Sequence, residues 1–192
     1  MKRVVLTMAM LALAASVEAA PITFTTSLSG AIEVPPNNSL GTGTATVIFD
    51  DDADTMRVIV AFAGLTGTTT MSHVHCCTAI PGAGTAGVAT ELPSFTGFPL
   101  GVQAGTYDHT FDTSLAATWN PAFLAANGAT AEGAADAFLA GMLAGRTYLN
   151  IHTSFAPGGE IRGFLAVTPE PATLSLIGFG VAGALARRRR RR

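Results

Sequence analysis

Apolar and polar residues alternate along several short stretches of the chain, each closed by glycine, proline or aspartate. The clearest is Met56-Arg57-Val58-Ile59-Val60-Ala61-Phe62, where Met56, Val58, Val60 and Phe62 share one face at period two. That alternation is what a half-buried strand needs. Residues 22–28 are β-branched and aromatic with partial alternation, and Gly30 and Pro35-Pro36-Asn37-Asn38 stop them. Residues 42–49 read as a second strand, joined to the Met56 strand by Asp50-Asp51-Asp52-Ala53-Asp54 in a hairpin. Further strands are expected at 71–76, after the Gly64-Leu65-Thr66-Gly67 break, and at 106–111, 147–153 and 160–167. The last two are joined across Pro157-Gly158-Gly159.

Residues 81–105 have loop composition, interrupted by 88–92. The spaced glycines at Gly82, Gly84 and Gly87 lack the lysine and strand–helix setting of a phosphate loop, so a flexible loop is expected. The texture then changes. Asn120-Pro121 pairs an N-cap residue with a first-turn proline. Thr130-Ala131 opens a second helix with Phe138, Leu139, Met142 and Leu143 as its apolar face and Gly145 as its stop. Many short strands, glycine-rich turns and one short helical insertion imply a mainly β fold, an antiparallel sandwich or barrel.

Both ends change the composition. Met1-Lys2-Arg3, an apolar run over 4–15 and small residues up to Ala20 make 1–20 a secretory signal peptide, too short for a membrane span. At the other end Pro169-Glu170-Pro171 precedes an apolar run over 172–186 and six arginines at 187–192. A helix over that run is roughly 22 Å long, short against a hydrocarbon core of roughly 30 Å. Its glycines suit a membrane helix, and the arginines would stay cytoplasmic. Between the ends, 21–168 carries three basic residues (Arg57, Arg146, Arg162) against eleven acidic ones, a net charge of −8. An acidic domain argues against nucleic acid and anionic lipid as partners. Residues 21–167 suffice for one domain with its own core.

The candidate chemistry gathers at His73-Val74-His75-Cys76-Cys77. In a strand, i and i+2 project to one face, so His73 and His75 suit a single metal, with His152 as a third ligand from a neighbouring strand. Imidazoles favour copper or zinc. The other reading is a structural polar cluster in which His73 or His75 pairs with Glu160 or Asn150. Cys76 and Cys77, in an exported domain, form an intramolecular disulfide, serve as thiol ligands, or crosslink to another chain. Their Cα atoms lie about 3.8 Å apart across a trans peptide. The aspartates at 50–54 read as a calcium loop or a solvated turn, and the EF-hand pattern is absent. Glu160 and Arg162 share a strand face and are expected to pair. No catalytic motif stands out, so no catalytic residue is expected.

The C-terminal Pro169-Glu170-Pro171, apolar run and arginine cluster closely resemble the PEP-CTERM sorting signal of Gram-negative bacteria. The resemblance implies recognition by an exosortase, cleavage near that motif and transient residence in the inner membrane. It also implies delivery to the cell surface or extracellular matrix, usually in exopolysaccharide-producing, biofilm-forming species. Residues 168–192 make up that signal.

Five blocks of the intervening domain resemble the CHRD domain first described in chordin. They are Leu28-Ser29-Gly30-Ala31-Ile32-Glu33-Val34-Pro35-Pro36, Gly41-Thr42-Gly43-Thr44-Ala45, Ser72-His73-Val74-His75, Tyr148-Leu149-Asn150-Ile151-His152-Thr153 and Gly159-Glu160-Ile161-Arg162-Gly163. This resemblance implies no established catalysis. A strand, a Gly-Leu turn and His-Val-His are also similar to the copper-binding strand of Cu/Zn superoxide dismutase, with His152 comparable to a late copper ligand. That likeness implies an immunoglobulin-like sandwich. No histidine matches the bridging ligand, and His109 is misplaced by order and spacing. The expected role is a structural or adhesive surface module with matrix polysaccharide or protein as partner. The alternative is a copper- or zinc-binding redox-type protein using His73, His75 and His152.

Overall fold

The computed structural model describes residues 20–168. Eight strands form one antiparallel sheet: β1 (Ile22–Ser29), β2 (Thr42–Asp50), β3 (Thr55–Ala63), β4 (Thr69–His75), β5 (Gly105–Asp112), β6 (Tyr148–Thr153), β7 (Ile161–Phe164) and β8 (Ala166–Val167). The order across the sheet is β4-β6-β7-β1-β2-β3-β5, and β8 pairs with β1 as well. The fold is therefore mainly β and antiparallel. The two halves expected of a sandwich are one curled, continuously hydrogen-bonded sheet, because β1 pairs with β2 on one side and with β7 and β8 on the other.

The period-two pattern determines what the curl encloses. Phe24 and Leu28 of β1, Val47 and Phe49 of β2, and Met56, Val58 and Val60 of β3 point inward and are buried. Val74, Leu149, Ile151 and Ile161 close the same core from the other half. Two helices, α1 (Pro121–Ala126) and α2 (Ala131–Leu143), sit between β5 and β6. Asn120 accepts a hydrogen bond from the Ala122 amide (2.9 Å), and Thr130 from the Gly133 amide (3.0 Å). Each side chain thus satisfies an amide that a helix start leaves without an intrahelical partner.

The buried stripe of α2 is Ala134, Ala135, Phe138, Gly141 and Met142. Leu143, expected on that face, is 54 % exposed. The helix turns its 134–138–141–142 row to the sheet, which leaves position 143 off the contact line. Gly145 stops the helix with φ 65°. The aspartate run is a hairpin turn: Asp50 accepts from the Ala53 amide at 3.0 Å and Asp54 has φ 52°.

Glu160, just before β7, is fully buried. Its Oε1 accepts from Ser39 Oγ (2.5 Å) and the Thr66 amide (2.6 Å), and its Oε2 from the Gly67 amide (3.1 Å) and Thr153 Oγ1 (2.5 Å). Burial pushes this carboxyl up, but the hydrogen bonds together outweigh it and hold the group below the usual carboxylate range. One anion thus ties the segment before β2, the β3–β4 connection and β6 to the start of β7. The expected Glu160–Arg162 ion pair is not formed, because all of this acceptor capacity is directed away from Arg162. Glu160→Ala should leave four donors facing an apolar hole and cost at least about 3 kcal/mol. Urea denaturation of the two proteins checks this, and an unchanged midpoint would contradict the role.

Candidate metal centre

In the β4–β6–β7 part of the sheet both faces are covered, and all six residues of β6 are buried. One face carries Val74, Leu149, Ile151 and Ile161 and belongs to the apolar core. The other carries His73 and His75 of β4, Tyr148, Asn150 and His152 of β6, and Arg162 of β7. Register makes the rows: His73 lies opposite Asn150, His75 opposite Tyr148, Met71 opposite His152, and Asn150 opposite Arg162.

A β-bulge creates this alignment. Thr69 lies opposite Thr153, and the register then shifts by one residue before Met71 meets His152. Had the Thr69 register continued without the shift, His73 would stand opposite the core residue Leu149. A one-residue slip exchanges the two faces of a strand, and bulges re-aim side chains in this way.

The histidines expected as ligands come together. His73, His75 and His152 are 3 %, 8 % and 6 % exposed. Each offers one nitrogen, and the three nitrogens lie within 4.8 Å of one another. Ring centroids are 4.7 Å apart for His73 and His152 and 5.0 Å for His73 and His75. Backbone acceptors set two tautomers. His75 Nδ1–H donates to the Ala86 carbonyl at 2.9 Å, and His152 Nδ1–H to the Pro157 carbonyl at 2.9 Å. Both Nε2 atoms therefore carry bare lone pairs, and that of His152 is buried with no hydrogen-bond partner. His73 Nδ1 is 3.2 Å from His75 Nε2, so His73 donates the one proton between them. A tetrahedral edge at zinc–nitrogen bond lengths is about 3.3 Å.

Burial removes charge from the cluster. Desolvation, aided by repulsion from His152 and His75, pushes His73 down to about 3. Desolvation pushes His75 down to about 4 against the Ala86 hydrogen bond, with repulsion from His152 and Arg162 adding to it. His152 is lowered as well, again by burial. All three imidazoles are neutral at neutral pH, the form that binds metal.

Around them lies a second buried layer. Tyr148 stacks on His75 (4.6 Å, 5°), and the Arg162 guanidinium covers Tyr148 at 4.7 Å. Arg162 pairs with Glu33 (3.3 Å) and donates to the carbonyls of Ile32 (2.8 Å) and Gly84 (3.2 Å). Desolvation raises Glu33 to about 7, against the pull of Arg162. The Glu33 partner was invisible in the sequence, since 129 positions separate the two residues. A block shared with the CHRD resemblance was the only signal. The loop expected to be merely flexible is instead the cover, supplying the Ala86 and Gly84 carbonyls. Neither Glu160 nor Asn150 pairs with His73 or His75: Glu160 is engaged elsewhere, and the two histidines bond each other and Ala86.

Cys76 and Cys77 are bonded to each other. Their connecting peptide is cis, which brings the Cα atoms to 3.0 Å rather than the trans distance. The pair packs on α2, where a Cβ at Gly141 would lie 2.5 Å from Cys76 Sγ. His109 stands apart on β5, between the rings of Tyr107 and Phe111 (6.1 and 4.6 Å). Among the described residues no helix is long and apolar enough to cross a membrane. Residues 1–19 of the expected signal peptide, the Pro169-Glu170-Pro171 motif and the apolar run over 172–186 lie outside the described residues.

Comparison with known families agrees with the blocks traced in the sequence. A model of the PEP-CTERM protein-sorting motif matches residues 167–191, which implies processing by an exosortase and export across the inner membrane of a Gram-negative bacterium. No curated protein and no solved structure matches the chain. A model of the CHRD domain matches residues 24–165, the curled sheet from within β1 through β7 with its histidine face, and the chain therefore belongs to the CHRD domain family.

Proposed function

We propose that this exported CHRD domain is a metal-binding module in which His73, His75 and His152 hold one copper or zinc ion. The observation that carries the reading is the convergence of three buried, neutral imidazoles within 4.8 Å, two of them oriented by backbone carbonyls. Carbonyl acceptors behind the ring are the usual outer support of a ligating histidine. The ion would take the place of the proton shared by His73 and His75 and engage the His152 Nε2 that no protein group satisfies. Deep burial suits holding an ion, or passing an electron through it, better than turning over a bulky substrate. The exosortase route would deliver the domain to the cell surface or matrix, beside exopolysaccharide or other matrix proteins.

Metal analysis by mass spectrometry of the protein isolated from the periplasm should find about one copper or zinc per chain, the stoichiometry of a single four-coordinate site. His73→Ala and His152→Ala should each abolish it. A wild-type protein that takes up neither metal would overturn the reading. The cluster would then be a packing device, and the domain a structural or adhesive module.

The same neutrality has a cost in acid. A histidine whose folded pKa lies below its ordinary 6.5 contributes stability that is complete above 6.5 and is lost as pH falls toward about 3 to 4. Glu160, also depressed, acts in the same direction at lower pH. Glu33 opposes them: raised to about 7, it favours folding most below its ordinary 4.5 and less as pH rises through 7. Three histidines and one carboxylate against one carboxyl make the metal-free domain acid-labile. Its melting temperature should fall steadily from neutral pH to pH 4, and a flat profile in calorimetry would contradict the buried neutral cluster.

A further inference from the structure

The bulge that aligns His-Val-His with β6 aligns one more residue. Met71 follows the bulge immediately, shares the face of His73 and His75 by period, and stands directly opposite His152. Side chains so paired have Cβ atoms about 4.5–5.5 Å apart, within reach of an unbranched thioether. The other methionines among the described residues, Met56 and Met142, lie in the apolar core at 0 % and 1 % exposed. Met71 is half-buried and sits on the polar face.

The donor set around the histidines leaves a specific need. Among the described residues the cluster contains histidine alone, with no carboxylate. Cys76 and Cys77 are tied to each other. The buried acid of this face, Glu33, is engaged with Arg162, whose strand position lies opposite Asn150. A four-coordinate ion therefore needs one more ligand from β4, β6 or solvent.

Charge narrows the ion. Three neutral imidazoles offset none of the metal's charge, and Arg162 is close enough to oppose protonation of His75. The desolvation cost of an ion scales with the square of its charge, so a monovalent ion here costs about a quarter of a divalent one. Thioether sulfur is soft and selects copper(I).

We propose that Met71 is the fourth ligand of this centre and makes it a copper(I) site rather than a zinc site. The proposal rests on the three-histidine reading above. Met71 brings a neutral sulfur from the same strand as His73 and His75, so the whole set comes from two adjacent antiparallel strands.

The test uses the exported protein with its disulfide intact, loaded with copper(I) under anaerobic conditions. X-ray absorption at the copper edge should show a sulfur neighbour in the wild type and nitrogen neighbours alone in Met71→Leu. Competition against a copper(I) chelator should give a loss of at least about tenfold in Met71→Leu, no less than removal of an outer-shell partner costs. Zinc affinity, which gains little from a thioether, should change by no more than about twofold. Leucine conserves volume, so the fold should survive, and the wild-type spectrum alone decides the point if it does not. Copper(I) bound by nitrogen alone, or equal affinities in the two proteins, would overturn the role of Met71 while leaving the three-histidine site standing. A wild type that binds zinc more tightly than copper(I) would overturn the selectivity, and one that binds neither metal would overturn both readings.

Discussion

The Glu160 carboxylate is the constraint on which the rest depends. It is fully buried, yet it accepts from two hydroxyls and two amides that come from three separate segments. A buried anion is tolerated only when its acceptor sites are filled, and each donor that fills one is held in place in return. Thr66 and Gly67 belong to the connection that launches β4, while Thr153 ends β6. The carboxylate therefore sets the relative position of the two strands that supply the histidines. It does so from their far end, leaving the His73–His75 end to the disulfide-bearing turn and the loop above it.

That arrangement explains how a sheet can carry two different buried faces. On one side of β4, β6 and β7 apolar side chains complete the common core. On the other, histidines, a tyrosine, an asparagine and an Arg162–Glu33 pair lie equally deep under the loops. Such a layer stabilises little by burial and is costly wherever a polar atom lacks a partner. Glu33 Oε1, Asn150 Oδ1, His152 Nε2 and Arg162 Nη2 are all buried without one. A cluster of this kind beside three convergent imidazoles is costly as packing alone, and it supports the proposed metal site. Four of the five blocks that carry the family resemblance supply this layer: Glu33, His73 with His75, His152 with Asn150, and Arg162 lie in separate blocks. What looked like scattered motifs is one three-dimensional unit.

The route of the protein agrees with that chemistry. Export carries the domain into an oxidising compartment, where the Cys76–Cys77 bond persists. Among the described residues Arg162 is the buried cation, and its carboxyl partner, Glu33, is buried beside it.

Local pattern determined much of this protein by itself. Period-two alternation located β2 and β3, where inward and outward side chains take turns along the pleat, whereas β6 is buried on both faces and shows no such alternation. Asn120, Thr130 and Gly145 marked the helix ends because capping is a contact between near neighbours. His73 and His75 on one face also followed from spacing alone. Tertiary structure decided what no local rule reaches. Glu160 and Arg162, two residues apart, take separate partners because the fold brings Ser39, Thr66 and Gly67 to one and Glu33 to the other. His152 meets His73 only through the pairing of β4 with β6, and one bulged residue selects the polar face over the apolar one. Strand periodicity says which residues share a face, but which face meets which partner depends on register between segments some eighty residues apart, and register exists only once the sheet has formed.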